Sequence, residues 1–233
     1  MKAIVLILLL VTGELFSQSE SFLWIVNPEI GDSSNESLLH NLLDKAQTED
    51  DIQSVIVTGS ITINGSVDNL KKAKKIFSIF PHVYFIPGNN ETKASALFGT
   101  RFTDEFESSN FSFLSDSTAI LGISNATDYI EGKGYFPIEN IGWLTDELEN
   151  VSPNQNIIIF TNYALAKTIN AKNFITNFYN RKLVAVFSSD FIKGSHNKLD
   201  IATLSGYSSK NETTKLNIKL LNISNYVIFL SKY

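Results

Sequence analysis

The chain contains no cysteine among its 233 residues. That absence excludes disulfide bonds, thiolate metal ligands, a thiol nucleophile and a lipid anchor on an N-terminal cysteine. Only three histidines are present, so imidazole groups for metal ligation or proton transfer are few. The 19 Lys and Arg residues are outnumbered by 24 Asp and Glu residues, giving a net charge of −5. A basic footprint for nucleic acid is therefore missing, and we expect no nucleic-acid partner.

Two common active-site motifs are missing as well. The stretch "GSITINGS" (59–66) has two glycines but neither the lysine nor the spacing of a phosphate-binding P-loop. No Gly-x-Ser-x-Gly sequence is present, which excludes the nucleophile elbow of serine hydrolases.

The amino-terminal sequence "MKAIVLILLLVTGELFSQSES" has the layout of a secretory signal peptide: one lysine, an apolar run over 3–11, then small and polar residues. The alternatives are a buried first strand or a membrane anchor. The run is too short to span a bilayer, and Lys2 directly before it favours a signal. We expect cleavage after Ser17 (at the latest about residue 21), a mature domain over 22–233, a secreted or periplasmic location, and no transmembrane anchor after signal removal.

Apolar runs of strand length alternate with segments of helical period through most of the chain. The strand-like runs lie at 22–27, 54–60, 82–88, 111–116, 118–125, 156–162, 183–190, 198–206, 215–223 and 225–233. The helix-like segments lie at 37–47, 67–80, 138–151 and 171–182. Strand-helix alternation with continuous apolar strands predicts parallel strands covered on both faces, and the hairpins and closing strands add antiparallel pairing. The prediction is a single α/β domain with two packed sheets.

Polar residues follow five of the predicted strands. They are Asn27-Pro28-Glu29, Gly59-Ser60, Gly88-Asn89-Asn90, Thr161-Asn162 and Ser188-Ser189-Asp190. Because ligands of open α/β sheets collect at the carboxyl ends of strands, these residues predict one shared pocket. The alternative is that they only form turns, since Gly, Asn, Ser and Asp dominate turns for backbone reasons.

Five segments resemble the motifs of calcineurin-like metallophosphoesterases in order and spacing: "FLWIVNPEIG", "SVIVTGSIT", "YFIPGNNE", "IIIFTNYAL" and "VAVFSSDFIKG". "GYFPIENIGWLTDELE" is similar to the family's Gly…Trp-Leu helix through Gly134, Trp143 and Leu144. The resemblance runs from about Phe22 to Tyr233 and is closest to secreted bacterial members. It implies an α/β/β/α sandwich of two mixed sheets flanked by helices.

The resemblance also implies where the family's two divalent metals would bind, and most of those positions carry other residues here. The family's ligand and catalytic positions fall on Asn27, Glu29, Ser60, Asn89, Asn90, Asn162, Asp190 and Ile192, and its last motif, Gly-His-x-His, reads Ser189-Asp190-Phe191-Ile192 here. Asn89 keeps the family's amide ligand, whereas Asn90 replaces the catalytic histidine and Ser60 replaces the bridging aspartate. Neutral amides and hydroxyls are poor ligands for these ions. We therefore expect no two-metal centre and no catalytic residues.

Three hypotheses about function follow from the resemblance. In the first, the chain is a catalytically inactive phosphoesterase-fold protein that acts in binding or interaction. In the second, it retains metal-dependent hydrolysis of phosphate mono- or diesters, with one metal held by Glu29, Asn89 and Asp190. In the third, it keeps only a stable fold.

The same pocket leaves smaller alternatives open. Glu29 and Asp190, with amide carbonyls, offer oxygen ligands of the kind that a single Ca or Mg ion takes. The two acids also suggest a glycosidase pair. A metal-free cluster of asparagines is expected to satisfy its amides by mutual hydrogen bonds.

Overall fold

The computed structural model describes residues 21–48, 52–93, 100–115, 118–127, 132–192, 216–221 and 227–232. The strands are β1 (Ser21–Val26), β2 (Ile52–Gly59), β3 (His82–Pro87), β4 (Phe111–Ser115), β5 (Thr118–Gly122), β6 (Asn156–Thr161), β7 (Lys182–Ser188), β8 (Leu216–Leu221) and β9 (Val227–Lys232). The α-helices are α1 (Ser33–Gln47), α2 (Val67–Phe77), α3 (Asn89–Lys93), α4 (Thr100–Phe106), α5 (Ile138–Asn150) and α6 (Ala171–Thr176). Short 3-10 turns cover Leu165–Lys167 and Ser189–Ile192.

The strands form two mixed sheets. The first has the order β3-β2-β1-β9-β8, in which β1, β2 and β3 are parallel and the two last strands of the chain are antiparallel. The second has the order β4-β5-β6-β7, with β4 antiparallel to β5 and the other neighbours parallel. Each sheet therefore has a parallel group whose carboxyl ends lie at one edge, which is where a binding site is expected.

The alternation of side chains along β1 shows how the layers are separated. Leu23 and Ile25 pack in a core that includes the apolar faces of α1 and α2. Trp24 and Val26 pack instead in a core shared with Phe160 of the second sheet. The indole of Trp24 lies 5.3 Å from the ring of Phe160, so the two sheets pack face to face.

The outer face of the second sheet is covered by α5 and α6. Leu144 and Leu148 of α5 are buried against it, together with Phe174 of α6. The rings of Phe136 and Phe174 stack at 4.2 Å. The order of layers is helix, sheet, sheet, helix, and the predicted α/β class with two mixed sheets flanked by helices is confirmed.

Several predicted helix boundaries were wrong. Helix α1 begins at Ser33 rather than residue 37, because polar residues form its first turn: the backbone N–H of Asn35 donates to the Asp32 carboxylate at 3.3 Å. Helix α2 ends at Phe77 rather than 80, where the Ser78 hydroxyl donates to the Lys75 carbonyl at 2.8 Å.

Helix α6 ends at Thr176 rather than 182. There the Asn177 amide donates to the carbonyls of Asn173 and Phe174, both at 3.0 Å, and so closes the helix. The predicted strand at 198–206 and the predicted signal peptide lie outside the described residues. Within the described ranges, no helix combines the length and the hydropathy needed to cross a membrane.

Candidate functional site

One cleft of about 380 Å³ opens at the carboxyl edge of the two parallel strand groups. It receives residues from the ends of β1, β2, β3, β6 and β7, and so draws on both sheets. The residues that line it are Asn27, Gly59, Ser60, Gly88, Asn89, Lys93, Gly132, Asn162, Tyr163, Lys167, Ser189 and Asp190. The structure therefore brings six of the eight predicted pocket residues into one lining, whereas Glu29 and Asn90 are not part of it.

The floor of the cleft is formed by a close approach of backbone at the ends of β1, β2 and β3. Asn27 has a left-handed φ of 49°, and its side-chain Oδ1 accepts a hydrogen bond from the N–H of Ser60 at 2.9 Å. Gly59 has φ 89°, and a Cβ there would lie 2.0 Å from that same Oδ1. A Cβ on Gly88 would lie 2.3 Å from the Gly59 carbonyl. These two glycines are required because no side chain fits between the strand ends.

Glu91 is almost fully buried, at 1% exposure, and its carboxylate stabilises this floor through hydrogen bonds. It accepts hydrogen bonds from the N–H of Gly88 at 2.9 Å, the N–H of Ile61 at 3.3 Å, and the N–H and hydroxyl of Thr62 at 2.8 and 2.9 Å. Burial raises the pKa of the Glu91 carboxyl, and the hydrogen bonds oppose that rise by stabilising the charged form. Glu91 thus holds the ends of β2 and β3 together.

Asn90 and Glu29 lie outside the lining of the cleft. The Asn90 amide donates to the carbonyls of Thr62 and Ile63, at 2.8 and 3.1 Å, and ties α3 to the segment after β2. The residue that the resemblance aligns with a catalytic histidine therefore has its amide hydrogen-bonded to backbone. Glu29 has a φ of 48°, and its N–H donates to the Ser60 carbonyl at 3.1 Å.

The other wall of the cleft is built on Asn125, which is fully buried in the segment after β5. Its Oδ1 accepts from the N–H groups of Asn162 and Tyr163, at 3.0 and 2.9 Å. Its Nδ2 donates to the Tyr163 carbonyl at 2.9 Å and to the Thr168 hydroxyl at 3.0 Å. One side chain thereby fixes the loop that carries Asn162, Tyr163 and Lys167 into the cleft.

The ends of β6 and β7 are joined through Asn162. Its carbonyl accepts from the N–H of Asp190 at 2.8 Å and from the hydroxyl of Ser189 at 3.1 Å. The Asp190 carboxylate accepts from the N–H of Ala164 at 3.0 Å and pairs with the Lys167 amine at 2.9 Å. Both carboxylate oxygens of Asp190 therefore already have partners.

Two lysines face the cleft, and sequence reasoning missed both. Lys93 lies four residues after Asn89 on α3, so the two side chains project from the same face of the helix, and both line the cleft. Among the described residues, Lys93 makes no ion pair, whereas Lys167 is paired with Asp190. The lining thus has two amines against one carboxylate, in a chain whose net charge is −5. The i to i+4 spacing of Asn89 and Lys93 was a signal available in the sequence.

The asparagines of the cleft do not satisfy one another, contrary to the expectation from sequence. The Asn89 Nδ2 donates to the Tyr163 hydroxyl, but its Oδ1 is buried without a partner. Asn162 is 4% exposed, and neither its Oδ1 nor its Nδ2 has a hydrogen-bond partner. Mutual hydrogen bonding therefore does not account for these two amides.

This set of donors does not fit the two divalent ions that the resemblance implies. The described residues contain no group of three or more His, Cys, Asp or Glu side chains placed to hold a metal ion. The carboxylate in the lining belongs to Asp190, which is already paired, and the remaining side chains are amides, hydroxyls, a phenol and two ammonium groups. Ammonium groups repel a divalent cation and attract an anion.

No family model matches the sequence, and no curated protein matches it. Among solved structures, the fold is distantly similar to that of a novel phosphatase from Mycoplasma pneumoniae, with a TM-score of 0.39 and 12% sequence identity. The similarity covers 73% of this chain and 64% of the phosphatase chain, which is less than two thirds of that chain.

Proposed function

We propose that this chain is a phosphoesterase-fold protein without metal-dependent catalysis, and that its cleft binds a small anionic ligand of the phosphate-ester type. The observation that carries the proposal is the pair of amines, Lys93 and Lys167, in a lining where the family would place carboxylates and imidazoles. A phosphate group accepts hydrogen bonds from lysine ammonium groups, and their positive charge stabilises its negative charge. The proposal needs no metal ion.

The amide groups support binding rather than hydrolysis. Hydrolysis by the family's route requires metal ions that activate water and neutralise the phosphate. Amides and hydroxyls at Asn27, Ser60 and Asn162 supply neither effect. Asn90 cannot protonate a leaving group, because a carboxamide N–H is not acidic, and its amide donates to backbone carbonyls.

The one-metal alternative requires Glu29, Asn89 and Asp190 to share one ion. Glu29 is not part of the cleft lining, and both oxygens of Asp190 have partners. This alternative is the outcome that would overturn the proposal.

We also propose that the chain is exported to a secreted or periplasmic location. The amino-terminal sequence, which has the layout of a signal peptide, supports this location.

The test combines turnover and binding on the purified chain. Hydrolysis of bis-(p-nitrophenyl) phosphate and p-nitrophenyl phosphate would be measured with Mn²⁺, Zn²⁺, Mg²⁺ and Ca²⁺, and we expect no metal-dependent turnover. Binding of propyl phosphate would be measured by calorimetry in EDTA for the wild type, Lys93→Met and Lys167→Met. We expect each cleft variant to bind at least about tenfold more weakly, since a charged hydrogen bond contributes roughly 1.5–3 kcal/mol and each 1.4 kcal/mol is about a factor of ten.

Lys172→Met provides the matched control, because it removes an exposed lysine of α6 that does not line the cleft. We expect it to bind propyl phosphate as the wild type does. Metal-dependent turnover that is abolished by Asp190→Ala would overturn the proposal. Equal loss of binding in the control and the cleft variants would place the anion site elsewhere.

A further inference from the structure

Buried amide atoms without partners occur at the cleft and nowhere else among the described asparagine side chains. They are both side-chain atoms of Asn162 and the Oδ1 of Asn89. A buried polar group without a hydrogen bond destabilises a fold, so such groups in a native structure require an explanation.

Other asparagines of the described chain are paired, which shows that the fold is able to satisfy such groups. Asn125 uses its oxygen and its nitrogen in four hydrogen bonds. The Nδ2 of Asn140 donates to the Ser124 carbonyl at 2.8 Å, and its Oδ1 accepts from Asn110 at 3.0 Å. The unpaired amides are confined to two residues that line the cleft, and one of them is more than nine-tenths buried.

The unpaired atoms define what a ligand must offer. The two Oδ1 atoms of Asn89 and Asn162 are acceptors and need donors, whereas the Nδ2 of Asn162 is a donor and needs an acceptor. A fully ionised phosphate has only acceptors. It would satisfy the lysines and the Asn162 nitrogen but would leave both amide oxygens facing negative oxygen atoms. A ligand that satisfies all three atoms therefore carries hydrogen-bond donors beside its anionic group.

A bound cation is the other way to satisfy amide oxygens, but this lining disfavours it. Lys93 and Lys167 place two ammonium groups in the same cleft, and the Asn162 nitrogen presents further N–H donors. Each of these groups repels a cation. Hydroxyl groups meet all the requirements, because one hydroxyl both donates and accepts. The cleft volume of about 380 Å³ is in the range of small-molecule sites.

We propose that the cleft selects a polyhydroxylated phosphate ester, in which Lys93 and Lys167 bind the phosphate and Asn89 and Asn162 bind hydroxyl groups of the polyol. This assignment rests on the proposed function, since it extends the same anion site. Asn162 is the residue that sets specificity, because neither of its amide atoms has another partner.

Matched probes test the assignment in EDTA by calorimetry on the full chain. Glycerol 1-phosphate and propyl phosphate have the same chain length and the same phosphate, and differ by two hydroxyl groups. We expect the wild type to bind glycerol 1-phosphate about tenfold more tightly, as one to two added hydrogen bonds would give. Glycerol alone would bind far more weakly than either phosphate.

Variants separate the two parts of the site. Asn162→Ala is expected to reduce the preference for glycerol 1-phosphate, because it removes one of the two amides assigned to the hydroxyl groups. Lys93→Met is expected to weaken both phosphates by the same factor and to keep the preference. Equal binding of the two phosphates to the wild type would overturn the hydroxyl assignment and leave the proposed function intact. If neither phosphate binds, both proposals fail. The comparison of the probes on the wild type needs no variant to fold.

Discussion

Asp190 and Lys167 form an ion pair of 2.9 Å in the lining of the cleft, and the other oxygen of Asp190 accepts from the N–H of Ala164 at 3.0 Å. The carboxylate therefore does two things at once. It holds the loop after β6 against the end of β7, and it offsets the charge of one of the two amines. Only the second effect opposes the binding of an anion.

Replacing Asp190 with Asn should separate these effects. The Asn side chain keeps an oxygen for the Ala164 N–H but no longer neutralises Lys167. We expect phosphate esters to bind up to about fivefold more tightly and the free energy of unfolding to change by less than about 1 kcal/mol, since the lysine is 57% exposed. Calorimetry in EDTA and chemical denaturation measure the two quantities.

Asp146→Asn is the control for the change in net charge, because it removes an exposed carboxylate of α5. It should leave phosphate binding unchanged. Weaker phosphate binding in Asp190→Asn would show that the carboxylate contributes to ligand binding, against the role assigned to it.

Asn162 and Asn125 should respond in opposite ways to substitution by Leu, which has a similar shape without polar atoms. Asn162→Leu removes buried groups that have no partners, so the ligand-free variant should be at least as stable as the wild type. Asn125→Leu leaves the N–H groups of Asn162 and Tyr163 without their acceptor and should cost at least about 3 kcal/mol. Urea denaturation of both variants without ligand makes the comparison.

A large loss of stability in Asn162→Leu would mean that its amide is satisfied within the folded chain. The hydroxyl assignment would then lose its basis. Asn125→Leu serves as the matched positive control, since it tests the same chemical change at a paired amide.

Gly59→Ala should damage the floor of the cleft. The backbone there has φ 89°, which disfavours any residue with a Cβ, and the new methyl group would lie 2.0 Å from the Asn27 Oδ1. Backbone strain alone costs roughly 1–3 kcal/mol, and the contact adds to it. We expect a lower midpoint of urea denaturation and weaker phosphate binding. Gly142→Ala, on α5 with no atom within 4 Å of the added Cβ, should be neutral or slightly stabilising.

The free energy of unfolding should depend on pH in part through the titration of Glu91. Burial raises the pKa of this carboxyl in the folded chain, so the native state holds a proton at pH values where the unfolded state has released it. The contribution of Glu91 to the free energy of unfolding therefore falls as pH rises from the ordinary glutamate pKa of about 4.3 through the raised value. Above that value the contribution no longer changes.

Glu91→Gln removes this titration, and the difference in free energy of unfolding between wild type and variant measures it. As pH rises through that window, we expect the free energy of unfolding of the wild type to fall relative to that of Glu91→Gln. The variant itself should be less stable at low pH, since its amide nitrogen would face the N–H groups of Gly88 or Thr62. Glu149→Gln, at an exposed position of α5, is the control. A difference that is flat or of opposite slope would show that the pKa of Glu91 is not raised.

Much of the fold was predictable because apolar periodicity reports which faces are buried. The alternation of strands and helices gave the two sheets, the β4–β5 hairpin and the closing antiparallel strands β8 and β9. Helix ends were less predictable because side-chain hydrogen bonds set them. The first turn of α1 is polar, and the last turn expected for α6 is replaced by bonds from Asn177.

The site was predictable only as a set of strand ends. The sheet topology brings the carboxyl ends of the parallel strands to one edge, so the residues that follow those strands were expected together. They are Asn27, Ser60, Asn89, Asn162 and Asp190. The state of each amide depends on partners distant in sequence. The Asn125 side chain accepts a hydrogen bond from the N–H of Asn162, 37 residues away. The Tyr163 hydroxyl accepts one from the Asn89 Nδ2, 74 residues away. No local pattern in the sequence distinguishes a paired asparagine from an unpaired one.

Metal-independent binding of a phosphate ester is tested most directly by titrating the full chain with glycerol 1-phosphate in EDTA and again with excess Mn²⁺ or Zn²⁺. We predict measurable binding in EDTA with the same dissociation constant in both conditions, because Lys93 and Lys167 supply the positive charge. Binding that occurs only after Mn²⁺ or Zn²⁺ is added, and that is lost in Asp190→Ala, would contradict a metal-free cleft.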